Sequence, residues 1–403
     1  MLYILSTFIF TGVIFILVTV LLFVESKVSG NDEFNITING NEDEKMKVSG
    51  NPSLLSALSK KAVFLPSACG GSGSCGMCKC EVIDGGGPIL PTEIAHLSRK
   101  DKLNNIRLSC QLKVKEDLEI KVPESIFGIK KINATVVSNE NVASFIKELV
   151  LKPEFPMNFE AGSYIQIDVP EYDLAFKDFH ISSKYVSEWK KYNLLELASK
   201  GIKPGFRAYS LANPPQDNAV MVLNVRIATP PPGTAGIPPG FGSSYIFGLK
   251  PGDTVTVSGP YGDFMAREKT KEMCFVGGGA GMAPLRSHIL CQLEGDCKDR
   301  TLSFWYGARS LKELFYDEEF QALDEKHDNF SFHVALSSPE KEDNWNGMTG
   351  FIHEHLCNKY LIHHEDPTEI EYYLCGPPPM IDAIIDSLYD LGVEDDMIYY
   401  DKF

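Results

Sequence analysis

Cysteines in one glycine-rich loop are the first residues of this 403-residue chain whose types and spacing suggest chemistry. Three of them follow the pattern Cys69-x5-Cys75-x2-Cys78, and Cys110 lies far downstream. Such a set suits a [2Fe-2S] cluster, because each of its two irons needs a pair of thiolates. The glycines of the loop let the backbone wrap closely and aim N–H groups at sulfur. We therefore predict that these four cysteines bind iron.

Two alternatives stay open from the residues alone. A structural zinc site usually uses two Cys-x2-Cys pairs, whereas the distant ligand is single here. Cys80 could replace Cys78, although the x2 spacing favours Cys78. Disulfides are expected of small secreted domains and not of a long chain whose thiols crowd into one loop.

A second set of residues suits a dinucleotide flavin. Arg207 and Tyr209 alternate along a predicted strand and so point to one face, with Ser210 next to them. The guanidinium can bind a pyrophosphate, and the aromatic ring can lie against an isoalloxazine. Gly240-x-x-Ser243 precedes an apolar run, where a helix N-terminus would present N–H groups and a hydroxyl to phosphate. An ordinary edge strand could also contain the Arg207–Ser210 motif, so the prediction of FAD depends on this motif and on Gly240-x-x-Ser243 together.

A third set suits a nucleotide. The glycine-rich run 277–284 follows a predicted strand at 273–276 and precedes a helix, which is the order of a phosphate cradle. Cys375 ends the last apolar strand, and open α/β sheets bind ligands at the carboxyl ends of their strands. The alternative for Cys375 is a buried core cysteine.

The elements that must position these residues predict a multidomain chain. Residues 2–24 carry no charge and predict a transmembrane anchor within 1–26; a signal peptide is the alternative, but a basic start is missing. Short strands and a helix opened by Asn51 and Pro52 indicate a domain at 33–124. Alternating strands predict a small antiparallel barrel at 130–268, with an insert at 171–204 of unread purpose. Strand–helix alternation then predicts a parallel sheet at 269–403.

Composition excludes some partners. Hydrophobic residues make up 44% of the chain and charged residues 23%, as in globular proteins. The formal net charge of −16 argues against nucleic acid or an anionic membrane face as partner.

The cluster motifs resemble those of a known family. Residues 68–78 and 107–111 resemble the cluster loops of plant- and vertebrate-type ferredoxins, which implies a β-grasp domain. The later motifs, in this order, are similar to the ferredoxin-NADP⁺ reductase superfamily, which implies an FAD-binding barrel and an NADH-binding α/β domain. This resemblance implies roles for the following residues: Arg207, Tyr209, Ser210, Gly240, Ser243 and Phe403 at FAD; Gly279, Gly281 and Cys375 at NADH; and Ser210 and Cys375 in catalysis.

As a whole, the chain resembles the family of F subunits of the sodium-translocating NADH:quinone reductases of bacterial inner membranes. The resemblance implies hydride transfer from NADH to FAD, then single electrons to the cluster, to partner subunits and ultimately to quinone. It implies a single-pass membrane protein with cytoplasmic domains, and sodium pumped elsewhere in the complex. The alternatives are the reductase component of a bacterial oxygenase and a zinc-stabilised scaffold without activity. NADH is expected mainly from the family, since Arg309 and Lys312 could bind a 2′-phosphate that Glu313 would repel.

Overall fold

The computed structural model of the chain describes residues 10–20, 33–41, 45–231, 233–234, 236–267, 270, 272–295 and 300–402. Residues 10–20 are helical. The anchor predicted for 1–26 lies largely outside the described residues, and Phe403 lies wholly outside them. Within the part described, no helix has the length and apolar character needed to cross a bilayer. The chain divides into two compact units, 1–130 and 131–403.

The first unit contains a five-stranded sheet with short helices. Its strands have the order β2-β1-β5-β3-β4, with β1 and β5 parallel and the other pairs antiparallel. Leu54 and Leu58 of the helix Leu54–Lys60 are fully buried, as are Ile36 and Ile120 of the sheet, so these side chains belong to the core of the unit. The elements are β1 (Glu33–Ile38), β2 (Met46–Ser49), α1 (Leu54–Lys60), β3 (Lys79–Asp84), α2 (Pro91–Ile94), α3 (Arg99–Leu103), β4 (Ile106–Leu108) and β5 (Leu118–Lys121).

The second unit begins with the predicted antiparallel barrel. Six strands have the order β11-β8-β13-β6-β7-β12, and a bridge between Leu211 and Leu223 joins the two ends. The insert is a separate hairpin of β9 and β10 with one helix between them. The elements are β6 (Lys130–Ala143), β7 (Ile146–Pro153), β8 (Tyr164–Val169), β9 (Tyr172–Ala175), α4 (Val186–Lys191), β10 (Ala198–Gly201), β11 (Gly205–Ser210), β12 (Met221–Arg226), α5 (Phe241–Gly248) and β13 (Thr254–Tyr261).

The same unit continues into the predicted parallel sheet, whose strand order is β17-β16-β15-β14-β18-β19 with every pair parallel. The central strands are apolar because helices cover both faces of the sheet. The elements are β14 (Glu272–Gly278), α6 (Met282–Glu294), β15 (Thr301–Ala308), α7 (Asp317–Lys326), β16 (Phe330–Leu336), β17 (Met348–Thr349), α8 (Ile352–Lys359), β18 (Ile370–Gly376), α9 (Pro378–Asp390) and β19 (Ile398–Lys402).

Candidate functional site

The structure brings the four predicted iron-binding cysteines together as two pairs. The sulfurs of Cys69 and Cys75 are 3.4 Å apart, and Cys78 is hydrogen-bonded to Cys110. Cys80 lies on β3 opposite Arg107 of β4 and is buried. Burial raises the pKa of the Cys80 thiol to about 12, so it stays protonated. Cys80 therefore belongs to neither of the two thiol pairs.

Each pair stabilises one thiolate, which is the form that binds metal. The hydrogen bond with Cys75 lowers the pKa of Cys69 to about 2, and the hydrogen bond with Cys78 lowers the pKa of Cys110 to about 7. The pKa values of Cys75 and Cys78 are raised by the same hydrogen bonds and by burial.

The backbone of the cysteine loop fits a [2Fe-2S] cluster. Its four glycines have positive φ values between 67° and 88°, a region in which other residues are strained, and they are Gly70, Gly71, Gly73 and Gly76. In the described part of the chain, no group of three or more His, Cys, Asp or Glu residues is placed to hold a single metal ion. Four thiols in two pairs match a centre in which each iron takes two sulfurs.

The predicted flavin residues meet at the N-terminus of α5. The guanidinium carbon of Arg207 lies 5.2 Å from the centre of the Phe241 ring, and its Nη1 donates to the carbonyl of Phe206 at 2.7 Å. A Cβ on Gly242 would lie 2.6 Å from both the Arg207 Cγ and the Tyr209 hydroxyl. Glycine at 242 therefore lets both side chains lie directly against the start of the helix.

Ser243 is already engaged by the backbone around it. Its hydroxyl accepts from the N–H of Ala228 at 3.1 Å and donates to the carbonyl of Gly240 at 3.3 Å. A Cβ on Gly240 would lie 2.6 Å from the Cβ of Ala228, so glycine allows this close approach. Because the Ser243 hydroxyl is engaged, the hydrogen-bond donors that this site can offer to a phosphate are the first N–H groups of α5. Ser210 ends β11 and is half-buried.

The glycine run of β14 lies against the carboxyl end of β18. It forms a 3-10 turn at Gly279–Gly281, which leads directly into α6. A Cβ on Gly281 would collide with the carbonyl oxygen of Cys375, which only a glycine avoids. Gly279 has φ +58° with open space where a Cβ would be, and it lines a cleft of about 1830 Å³. A tight glycine turn before a helix N-terminus, open to a cleft, is the arrangement that the sequence predicts for a site for nucleotide phosphates.

Cys375 itself is fully buried and packs in the core of the sheet. Burial raises the pKa of its thiol, and the nearby Asp401 carboxylate adds to the effect. Asp401 pairs with Cys375 across β18 and β19. Burial, with a smaller contribution from Asp263, raises the pKa of Asp401 to about 6. Sequence reasoning missed Asp401, because its pairing with Cys375 depends on the order of the strands.

The raised pKa of Asp401 predicts a pH-dependent stability. The folded chain keeps this proton up to about pH 6, whereas the unfolded chain loses it near pH 4, so the contribution of Asp401 to stability falls as the pH rises through that window. We expect Asp401→Asn to be stabilised relative to the original chain by about 1–3 kcal/mol more at pH 7 than at pH 4. Urea unfolding of both proteins at the two pH values measures this. An equal difference at both would contradict the assignment.

The insert contributes to the lining of the cleft beside the glycine run. Its residues Glu188, Lys191 and Tyr192 line the cleft together with residues that follow β15 and β16. Lys312 Nζ lies 2.9 Å from Glu188 and 2.6 Å from Glu340, and these hydrogen bonds raise its pKa. Lys191 contacts the same two carboxylates at 3.4 and 3.5 Å. Lys312 is therefore engaged by two carboxylates, which disfavours the 2′-phosphate role considered from the sequence.

Comparison with family models identifies three domains. The 2Fe-2S iron-sulfur cluster binding domain matches residues 36–115, the oxidoreductase FAD-binding domain matches 191–265, and the oxidoreductase NAD-binding domain matches 275–386. These ranges contain the cysteine loop, the Arg207 motif and the glycine run, respectively.

Curated relatives match almost the whole chain. The F subunit of the Na(+)-translocating NADH-quinone reductase of Idiomarina loihiensis is 49% identical, over 98% of this chain and 97% of its own. The F subunits of the same enzyme from Neisseria meningitidis serogroup C and Klebsiella pneumoniae are each 50% identical, over 99% of both chains.

Solved structures show the same fold. A cytochrome P450 reductase from Amycolatopsis has a TM-score of 0.64 at 24% identity, over 92% of this chain and 98% of its own. The ferredoxin reductase of carbazole 1,9a-dioxygenase has a TM-score of 0.60 at 25% identity, with the same coverage.

Proposed function

The chain belongs to the family of F subunits of the Na(+)-translocating NADH-quinone reductases. We propose that its glycine run binds NADH, its α5 N-terminus binds FAD and its two cysteine pairs bind the [2Fe-2S] cluster, so that electrons pass through the three sites in that order. The chain is the NADH-oxidising, electron-input subunit of that complex, with FAD and one [2Fe-2S] cluster. The assignment of particular residues to these sites is the proposal.

The observation that carries this proposal is the grouping of the four thiols into two pairs. Each pair provides the two sulfurs that one iron needs, namely Cys69 with Cys75 and Cys78 with Cys110. When bound, FAD supplies hydride acceptance and the cluster supplies one-electron transfer. Cys80 is left as a core residue of β3.

The residues around the flavin act by binding and orientation. Arg207 lies beside the N-terminus of α5, so its guanidinium and the helix N–H groups would together hold the FAD pyrophosphate. Gly242 leaves room for Tyr209 to lie against the same turn, and the Tyr209 ring would contact the isoalloxazine. Ser210 and, from outside the described residues, Phe403 are proposed to complete the flavin contacts. Ser243 acts indirectly, by fixing the loop before the helix.

The nucleotide cleft positions NADH for hydride transfer, a step that needs no acid or base from the protein. Gly279 and Gly281 would let the backbone approach the phosphates. The insert contributes to the lining of the cleft, which orients the substrate and limits water. Cys375 is proposed to act in catalysis by supporting the nicotinamide end through its backbone, against which Gly281 packs, because its thiol is fully buried.

We further propose that the chain is anchored by residues 1–26 in a bacterial inner membrane, with its domains in the cytoplasm and bound to other subunits of the complex. The names of the relatives support this placement. The domains are proposed as 33–124, 130–268 and 269–403. The likeness to oxygenase reductases concerns the fold, and an oxygenase role is not favoured.

The test uses membranes of the source cell with and without this chain. We expect NADH:quinone activity that sodium stimulates, that disappears when the chain is deleted, and that returns when the full-length chain is restored. Sodium-independent activity, or a soluble chain that reduces a hydroxylase instead, would contradict the proposal. A purified protein without flavin or iron absorption would also exclude it.

A further inference from the structure

Two polar side chains flank Cys110, and neither has a role in the function proposed above. Gln111 follows Cys110 directly, and its Nε2 donates a hydrogen bond to the Cys110 sulfur at 3.4 Å. Its backbone N–H donates to the carbonyl of Leu108 at 2.9 Å, which fixes the residue at the end of β4. Gln111 therefore places an N–H group on a sulfur that is proposed to bind iron.

The amide of Gln111 is held in place by the cysteine loop. A Cβ on Gly73 would collide with its Nε2 and lie 3.0 Å from its Cδ. Gly73 has φ +86°, so glycine is favoured there both for the backbone and for the space that the amide occupies. The loop between Cys69 and Cys75 thus lies directly against the Gln111 amide at Gly73.

Ser109 precedes Cys110, and its hydroxyl is a hydrogen-bond donor without a partner in the described part of the chain. Its side chain is fully buried, and its hydroxyl has no hydrogen-bond partner of normal geometry among the residues that the structure describes. The backbone N–H of Ser109 donates to the carbonyl of Cys78 at 2.8 Å, so Ser109 lies beside a second cysteine that is proposed to bind iron. Burying a hydroxyl without a hydrogen-bond partner is unfavourable. A bound cluster would supply the sulfur acceptors that this hydroxyl lacks.

We propose that the side chains of Gln111 and Ser109 donate hydrogen bonds to sulfurs of the cluster and thereby raise its reduction potential. The inference rests on the ligand set proposed above. Reduction adds negative charge that is shared with the sulfurs, so a donor stabilises the reduced cluster more than the oxidised one.

The experiment is a redox titration of the full-length protein with FAD and the cluster bound, followed by electron paramagnetic resonance. Gln111→Met keeps the length of the side chain and removes its N–H groups, and Ser109→Ala removes the hydroxyl. We expect each to make reduction about five- to tenfold less favourable, a tenfold change being ~59 mV for one electron. Gly73→Ala should act in the same direction, because its Cβ displaces the Gln111 amide. In the double variant, Gly73→Ala should change the reduction potential little beyond the change that Gln111→Met causes alone.

The matched control is Ser56→Ala, since Ser56 is exposed on α1. A second measurement needs no variant. Gln111 is the only glutamine among residues 1–130, so ¹⁵N in glutamine amides should show hyperfine coupling to the reduced cluster in the unaltered protein. Unchanged potentials in Gln111→Met and Ser109→Ala, or no such coupling, would overturn the inference. An unaltered protein without any [2Fe-2S] signal would instead overturn the proposed function.

Discussion

Cys69→Ala is expected to remove the [2Fe-2S] cluster and to lower NADH-driven quinone reduction by roughly a hundredfold or more, because one iron would lose half of its protein ligands. Reduction of an artificial acceptor at FAD should continue, since the flavin and nucleotide residues belong to the other compact unit. Iron content, the electron paramagnetic resonance signal and the two activities measure these outcomes.

The matched control for this prediction is Cys80→Ala. Cys80 is buried near the same loop, but the structure places it opposite Arg107 and apart from the paired sulfurs. Its loss should cost roughly 1 kcal/mol of stability and leave the iron in place. If Cys80→Ala lost the cluster and Cys78→Ala kept it, Cys80 would replace Cys78 as the ligand. Equal loss of both activities in Cys69→Ala would mean that the centres do not act in series.

Arg207→Ala is expected to weaken FAD binding about 10- to 100-fold. A charge-assisted hydrogen bond to a phosphate contributes about 1.5–3 kcal/mol, and no other described arginine lies on β11. Fluorescence titration of the apoprotein with FAD, together with the flavin content after purification, measures the change. Cluster content should stay unaltered.

Lys200→Ala is the control for charge alone. Lys200 forms an exposed ion pair with Asp173 on the insert hairpin, so its loss removes a positive charge without altering the turn that Arg207 contacts. Gly242→Ala provides a second test, because its Cβ would lie 2.6 Å from the Arg207 Cγ. Full FAD occupancy in both Arg207→Ala and Gly242→Ala would remove the pyrophosphate role.

Much of the site follows from local sequence. The spacing of Cys69, Cys75 and Cys78 predicts a shared loop, and in the structure Cys69 pairs with Cys75 while Cys78 pairs with Cys110. The glycine run predicts a turn between a strand and a helix, and Gly279–Gly281 forms it. These predictions hold because each depends on residues that are close in the chain or that one chemical group requires.

Local rules also fail where the backbone conformation decides between neighbours. The sequence predicts Asn51 as the N-cap of α1, but Asn51 has φ +52° and Ser53 is the cap, with its hydroxyl accepting from the Ser56 N–H at 3.3 Å. An N-cap needs an extended conformation, which Ser53 has. Both residue types are good caps, so composition could not choose between them.

Contacts between distant segments could not be predicted. Lys312 is held by Glu188 and Glu340, which come from the insert and from a loop after β16. No spacing rule connects these three residues, and the purpose of the insert could therefore not be read from its sequence. Asp401 has the same origin, since only the order β14-β18-β19 brings it to Cys375.

The unequal origin of the two sulfur pairs has a consequence for maturation in the cell. Cys69 and Cys75 come from one loop, whereas Cys78 meets Cys110 only after α2, α3 and β4 have been synthesised and folded. During translation the first pair leaves the ribosome before Cys110, so the nascent chain cannot hold a complete cluster until residues 79–110 have emerged and folded. Cluster delivery must then follow the synthesis of Cys110, and slow folding of residues 91–110 would lower the iron content without changing any ligand.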